Sequence, residues 1–251
     1  MEKKKSAVIS AAITSAINVA SLTLSDGIAS VISAISPMVQ MAIERSLSAI
    51  GASRLSERER FRIGSSVFWA AQVAEENSRA GKMVQQSQFA QDDMTTLVES
   101  VFRAASEDSQ EKKGKAYGTF LGNVAFQNQV DGGALFAMAK ILKDLSFDEL
   151  LLIAALKGRP EMYYEPFFQK LNQEGNLRCG EMVGYFVRLH NLGLTIRVRP
   201  ISMSEIIGNL KLSALGDALC DMANLCEMDP EQRDELRKYL DTYAKPAGLY
   251  L

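Results

Sequence analysis

The stretch "SAVISAAITSAINVASLTLS", residues 6–25, carries no charged side chain, yet serine, threonine and asparagine run all through it. Wound as a helix, it places Ser6, Ser10, Thr14 and Asn18 at i+4 spacing, continued by Ser21 and Ser25, which makes one slightly slanted polar stripe. Val8, Ala12, Ala16 and Ala20 form a neighbouring strip of small residues. Ile9, Ile13, Ile17 and Leu24 form a bulky apolar one. A surface helix of a soluble domain ordinarily puts Lys and Glu on its polar face. This one has only uncharged groups there.

The pattern repeats. Ser25-Asp26-Gly27 is a turn signal, and "IASVISAISPMVQMAI" follows, with Ser30, Ser33, Ser36 and Gln40 at i+3 or i+4. Ile28, Val31, Ile32, Ile35, Val39 and Ile43 supply the apolar side, and Pro37 is expected to kink or interrupt the helix. About twenty helical residues span roughly 30 Å, the thickness of a bilayer's hydrocarbon core. The second run is slightly shorter. Lys3, Lys4 and Lys5 precede the pair, and Arg45, Arg54, Arg58, Arg60 and Arg62 follow it. As a membrane hairpin it would keep both ends on the cytoplasmic side.

One hairpin cannot satisfy so many hydroxyls in lipid. Several copies can, by turning the stripe toward a water-filled lumen while the alanines pack helix to helix. The candidate pore-lining residues are therefore Ser6, Ser10, Thr14, Asn18, Ser21 and Ser25. The competing reading is two buried helices of a soluble oligomer, packed through Ala and Ser. "MEKKKSAVISAAITSAIN" has the basic start and apolar run of a signal peptide, but the run is too long and too polar and no A-x-A site closes it. It is read as part of the mature protein.

The rest of the chain is ordinary in charge. Over 251 residues, 28 Lys+Arg face 30 Asp+Glu, a formal −2, which argues against coating nucleic acid with bulk positive charge. The asymmetry is local: between Lys5 and Glu44 the only charged residue is Asp26. Three cysteines, Cys179, Cys220 and Cys226, without C-x-x-C or a Cys/His cluster, argue against zinc and fit a reducing compartment.

In the middle of the chain, Ser56 with Glu59 three positions on forms a capping box at the start of a long amphipathic helix. Phe61, Val67, Phe68, Ala71 and Ala74 are its candidate core positions. Arg58, Arg60 and Arg62 suit either a solvated face or an anchor on anionic headgroups. Two more helices are expected at about 91–106 and 108–127. In the second, Gly114, Gly118 and Gly122 share one face and are assigned to close helix packing, within the domain or between subunits. A helix at about 132–144 follows, and Ser146 with Glu149 caps another that runs to Lys157.

From Ser146 onward the order changes to helix, short element, helix at 178–191, alternating "LTIRVRP", and a short strand entering a helix at "NLKLSALGDALCDMANL". The text "RLHNLGLTIRV…LKLSALGDAL" resembles the end of many bacterial winged-helix domains. That resemblance covers residues 147–227 and makes helix 178–191 the recognition helix. Arg178, Tyr185 and Arg188 would then share a face, with Arg197 and Arg199 on one face of the wing strand and Lys211 opposite. Cations beside an aromatic ring suit a nucleic-acid or nucleotide ligand. Winged helices also serve as protein-binding modules.

Catalytic signals are few. His190 is the only histidine and is read as a helix C-terminal residue. No G-x-S-x-G, H-E-x-x-H, Walker or kinase motif is present. Asp92-Asp93 and Glu107-Asp108 are read as acidic first turns of helices. The expectation is a chain that is not an enzyme and needs no cofactor or metal.

"EDSQEKKGKAYGTFLGNVAF" followed by "LSFDELLLIAALK" resembles bacterial anti-phage defence effectors of the Hailong type, ion channels with a DNA-binding cytoplasmic part. The resemblance implies a channel at residues 6–43 and a ligand-gated head.

The expected fold is mainly α. It comprises an apolar small-residue helical hairpin (1–50), a helical middle domain (51–145), and a winged-helix-like domain with a short β-hairpin and a C-terminal helix (146–251). The expected protein is a homo-oligomeric effector of the bacterial inner membrane with a cytoplasmic head. Its partners would be the membrane, copies of itself, a single-stranded DNA or oligonucleotide signal, and an enzyme that makes that signal. The alternative is a soluble, cytoplasmic oligomeric adaptor or regulator.

Overall fold

In the computed structural model, Ser56 opens a 23-residue helix, α2 (Glu57–Arg79), with both bonds of its capping box in place. The structure describes residues 37–51, 55–83, 91–127, 131–160, 162–163, 177–197, 209–243 and 245–246. The candidate pore-lining residues Ser6 to Ser25, the wing residue Arg199 and the short element expected at 164–171 lie outside them. The chain is mainly helical with a small antiparallel sheet, and it divides into two compact units at Asp144 and Leu145.

The first unit contains α1 (Pro37–Ala49), α2, α3 (Gln91–Glu107), a 3-10 turn (Glu111–Lys113), α4 (Gly114–Val124) and α5 (Gly132–Asp144). Proline suits the first turn of α1, where a backbone N–H has no helical partner. Val39, Ala42, Ile43 and Leu47 of this helix are buried, and Ser46 Oγ donates to the Thr95 carbonyl of α3 at 3.1 Å. The end of the second small-residue run is thus core of the first unit. Val39 and Ile43, read from sequence as part of the apolar side of that run, are committed to protein packing.

The α2–α4 contact is the tightest in this unit. A Cβ on Gly118 would lie 2.3 Å from the Ser66 carbonyl oxygen and 2.6 Å from Trp69 Cβ. On Gly122 it would lie 2.6 Å from the Ala70 carbonyl oxygen. At Gly114 the nearest atom is Ser65 Oγ at 3.3 Å, the movable end of a side chain. Asn77 Nδ2 donates to Asn123 Oδ1 at 2.8 Å and pins the far end of the same contact. Arg58 pairs with Glu111 at 3.0 Å, and Arg62 Nη1 donates to the Ser106 carbonyl at 2.8 Å.

The helix expected at 108–127 is shorter and enters through the 3-10 turn, so Glu107-Asp108 is no helix start. Glu107 ends α3 and Asp108 lies beyond it. Asp92-Asp93 does occupy the first turn of α3.

The second unit is built around α6 (Phe147–Leu156), in which every residue but Asp148 is buried. A helix apolar on all sides must sit at the centre of its fold. Around it come β1 (Met162–Tyr163), α7 (Leu177–Asn191), β2 (Thr195–Arg197), β3 (Asn209–Leu212), α8 (Ala214–Met222), a 3-10 turn (Leu225–Glu227), α9 (Pro230–Tyr243) and β4 (Lys245–Pro246). The strands pair antiparallel in the order β2-β3-β1-β4, with Ile196 opposite Lys211 and Arg197 opposite Leu210. Phe186, Leu189, Leu194, Leu210, Leu219 and Leu240 close the core. Ser146 and Glu149 complete a second capping box at the start of α6. At its other end Arg237 of α9 donates to the Ala154, Ala155 and Lys157 carbonyls, supplying partners that the last helical turn lacks.

The glycine contacts set an internal comparison. Gly118→Ala is expected to lower stability by about 2 kcal/mol despite a helix-propensity gain of about 1 kcal/mol, because the new methyl group overlaps backbone. Gly114→Ala is expected to be neutral or slightly stabilising. Thermal unfolding followed by circular dichroism separates the two, and equal effects would refute the close-contact account.

Candidate functional site

The residues proposed for ligand binding fall on the second unit, and the structure divides them. Arg178 and Tyr185 lie on α7 and line a cleft of about 310 Å³ with Asp148 and Leu151 of α6, Glu181 and Met182 of α7, and Gln232, Glu235 and Leu236 of α9. Arg188 lies further along α7 and reaches Glu149 at 3.2 Å. Lys211 is exposed on β3, opposite the exposed Ile196. Arg197 is the last residue of β2. Of the six residues named from sequence, four have described side chains: Arg178 and Tyr185 line the cleft, Arg188 pairs with Glu149, and Lys211 stands on β3.

Two of these cations already have work inside the unit. The Arg178 guanidinium stacks over the Tyr239 ring, 4.5 Å from its centroid. Arg188 faces the Glu149 carboxylate, which is 2% exposed and also accepts the Ser146 backbone N–H at 2.7 Å. A buried carboxylate needs such a counter-charge. The α6 cap and the arginine of the expected recognition helix are one arrangement. His190 lies in the last turn of α7, with Nδ1 3.2 Å from the Thr195 carbonyl oxygen.

The cleft itself is acidic. Asp148, Glu181 and Glu235 face one guanidinium, Arg178. Tyr185 registers that field: burial, then the charges of Asp148, Glu181 and Glu149, push its phenol above the ordinary tyrosine value. Such walls repel a phosphate backbone and favour neutral or cationic groups.

Sequence reading missed a second polar constellation, in the first unit. Lys113 is 2% exposed, although its neighbours in "EKKGK" mark a solvated segment. Its Nζ lies 2.6 Å from Asp108 Oδ2 and donates to the Lys143 carbonyl at 3.0 Å. Tyr117 OH donates to the same Asp108 oxygen at 2.8 Å, and Asp108 Oδ1 accepts the Gln110 N–H at 2.9 Å. Burial, followed by the Asp108 charge and hydrogen bond, pushes the Tyr117 phenol far above its ordinary value. The i, i+4 spacing of Lys113 and Tyr117 was visible in the sequence. The Lys143 carbonyl was not. With every polar group engaged, the cluster ties the end of α3 to α4 and to the end of α5.

Among the described residues no helix is long and apolar enough to cross a membrane, and no group of side chains is arranged to hold a metal ion. Comparison with known protein families, with curated proteins and with solved structures finds no match for the chain.

Two measurements check these assignments. Lys113→Met alone is expected to cost about 3 kcal/mol, because it strands a largely buried carboxylate, and Asp108→Asn in the same chain should restore a large part of it. A double-mutant cycle by urea unfolding with additive losses would show that the pair is not coupled. In the cleft, the absorbance difference between wild type and Tyr185→Phe reports the phenol titration. Asp148→Asn with Glu181→Gln should lower that pKa, since the anionic phenolate would no longer face two negative charges. An unmoved titration would show that those carboxylates do not set the field.

Proposed function

We propose that the chain is an oligomeric membrane effector of bacterial anti-phage defence, seated in the inner membrane with a cytoplasmic head. Residues preceding α1 act on the bilayer, and the two helical units form the head. The observation that carries this reading is the abrupt partition of charge: Asp26 alone between Lys5 and Glu44, then ordinary charge density throughout.

The packing of α1 supports a head that begins at Pro37. Burying Val39, Ile43 and Leu47 contributes about 1.5–3 kcal/mol each. Lipid offers these side chains no more than the head already does, and the exposed Glu44 and Arg45 would have to travel with them. The bilayer-active part is then residues 6–36. Residues 6–25 are long enough for one full crossing of about 30 Å, whereas the remainder up to α1 is about half that length. A conducting path would therefore be lined by the first run from several copies, with Ser6, Ser10, Thr14, Asn18, Ser21 and Ser25 toward water.

For the second unit we propose a winged-helix-like sensor. The order helix, strand, helix, strand, strand and the antiparallel β1–β3 and β2–β3 pairings support that reading. The acidic cleft supports a partner protein presenting neutral or cationic groups over a single-stranded DNA or oligonucleotide signal at this face. The partner gates the effector by binding its closed and open states with different affinities. The burial of α1 also favours a second reading, in which residues 1–36 complete the core of a soluble oligomeric adaptor.

Fractionation of cells expressing the full chain separates the two. The effector should sediment with membranes and be released by detergent, whereas a soluble oligomer in the supernatant supports the adaptor. In liposomes, Thr14→Leu with Asn18→Leu should reduce ion flux at least tenfold by removing polar groups from the lumen. Unchanged flux would take the stripe out of the conducting path.

A further inference from the structure

Two of the three cysteines are neighbours in space. Cys220 lies on α8 and Cys226 in the 3-10 turn that follows, and their Sγ atoms are 3.8 Å apart. Asn224, between them, has φ +44° and reverses the chain, which folds the second cysteine back against the first. Cys220 is 1% exposed, whereas Cys226 is half-buried. A separation of 3.8 Å is ordinary van der Waals contact for two thiols. A bond of about 2.05 Å needs less than 2 Å of further approach, within reach of side-chain rotation and a small shift of a short turn. Cys226 is the more exposed of the two residues, and the buried Cys220 lies beside it.

We propose that Cys220 and Cys226 form a reversible intramolecular disulfide in response to a hydroperoxide. Cys226 meets the oxidant: its thiol gives its proton to solvent, the thiolate sulfur attacks the terminal peroxide oxygen, the O–O bond breaks, and the departing alkoxide takes up that proton and leaves as the alcohol (water, for hydrogen peroxide). Cys226 is then a sulfenic acid. The Cys220 sulfur attacks Cys226 Sγ, the S–O bond breaks, and the departing hydroxide takes the Cys220 proton as water. The net change oxidises two thiols to one disulfide and reduces one hydroperoxide to an alcohol and water. Burial, reinforced by the neighbouring Cys226, pushes the Cys220 thiol well above its ordinary range. This suits a resolving thiol that stays protonated until its partner has been oxidised.

The ring so closed is short, so its effect is local. Cys226 Sγ lies 3.9 Å from the Ala154 carbonyl oxygen at the end of α6, and the Cys226 carbonyl accepts a hydrogen bond from Arg233 Nη1 at 2.6 Å. Gln232, next to Arg233 on α9, lines the acidic cleft. Drawing Cys226 toward α8 shifts the turn that carries α9 and so changes that wall. The inference rests on the sulfur geometry alone and holds whatever the cleft binds.

The test treats reduced full-length protein with hydrogen peroxide, blocks remaining thiols with N-ethylmaleimide under denaturing conditions, and maps peptides by mass spectrometry. The expected result is loss of two of the three alkylatable thiols, with Cys220 and Cys226 linked, Cys179 still alkylated, and full recovery after dithiothreitol. In Cys220→Ser, Cys226 should stop at the sulfenic acid and be trapped by dimedone. In Cys226→Ser, Cys220 should remain a thiol over the same exposure. Circular dichroism confirms that both variants are folded, and the wild-type mapping stands without them. Three alkylatable thiols after peroxide, a link involving Cys179, or a disulfide only between chains would overturn the proposal.

Discussion

Backbone-to-backbone approach between α2 and α4 is the constraint on which the first unit rests. Ser66 and Ala70 present carbonyl oxygens where any side chain on Gly118 or Gly122 would have to stand. Glycine is a poor helix former, so two on one face are tolerated only because the neighbouring helix occupies the space. The entry to α4 is fixed at the same time. With α4 flat against α2, the 3-10 turn that leads into it brings Lys113 inward, and the ammonium must find a carboxylate and a carbonyl to replace water. Glycine packing and a buried ion pair are thus consequences of the same approach.

The second unit solves a different problem. Its central helix, α6, is apolar on all sides and short, so both of its ends fall inside the fold. Buried helix ends need partners for their free N–H and C=O groups. At the start, Ser146 and Glu149 supply them, and Arg188 balances the charge that Glu149 introduces. Just past the other end, Lys157 bridges Asp217 and Asp221 of α8 at 3.1 and 2.9 Å. Burial opposes its charge, but hydrogen bonds to those two carboxylates outweigh the penalty and raise its pKa. Arg188, one of the arginines grouped from sequence as ligand-binding, is the counter-ion of the buried Glu149.

What was legible in the sequence was local. Both capping boxes, the helix at 132–144 and the strand entering α8 follow from spacing over a few residues, because hydrogen bonds and turn chemistry at that range are written in consecutive positions. Contacts between distant segments were not. The charged neighbours of Lys113 give no sign of its burial, and only the fold brings the Lys143 carbonyl to it. Arg178, Tyr185 and Arg188 shared a helical face on paper, but Glu149 lies 39 residues from Arg188 and Tyr239 is further still from Arg178. Residues 28–43 read as one apolar run because hydropathy does not distinguish a lipid-facing isoleucine from one that packs against α3. Cys220 and Cys226 are six residues apart, and their meeting depends on a left-handed residue that asparagine merely permits.

Arg237 gives the second unit an order of assembly. It closes the C-terminal carbonyls of α6 from 80 to 83 residues further along the chain. During synthesis, the first helix of this unit is made long before the side chain that finishes it. Until α9 emerges, α6 is an apolar rod with its last carbonyls open to water, so no early fraction of the unit can reach its final packing. Such non-local closure makes folding slower and more nearly all-or-none than a sequence so rich in helix would suggest.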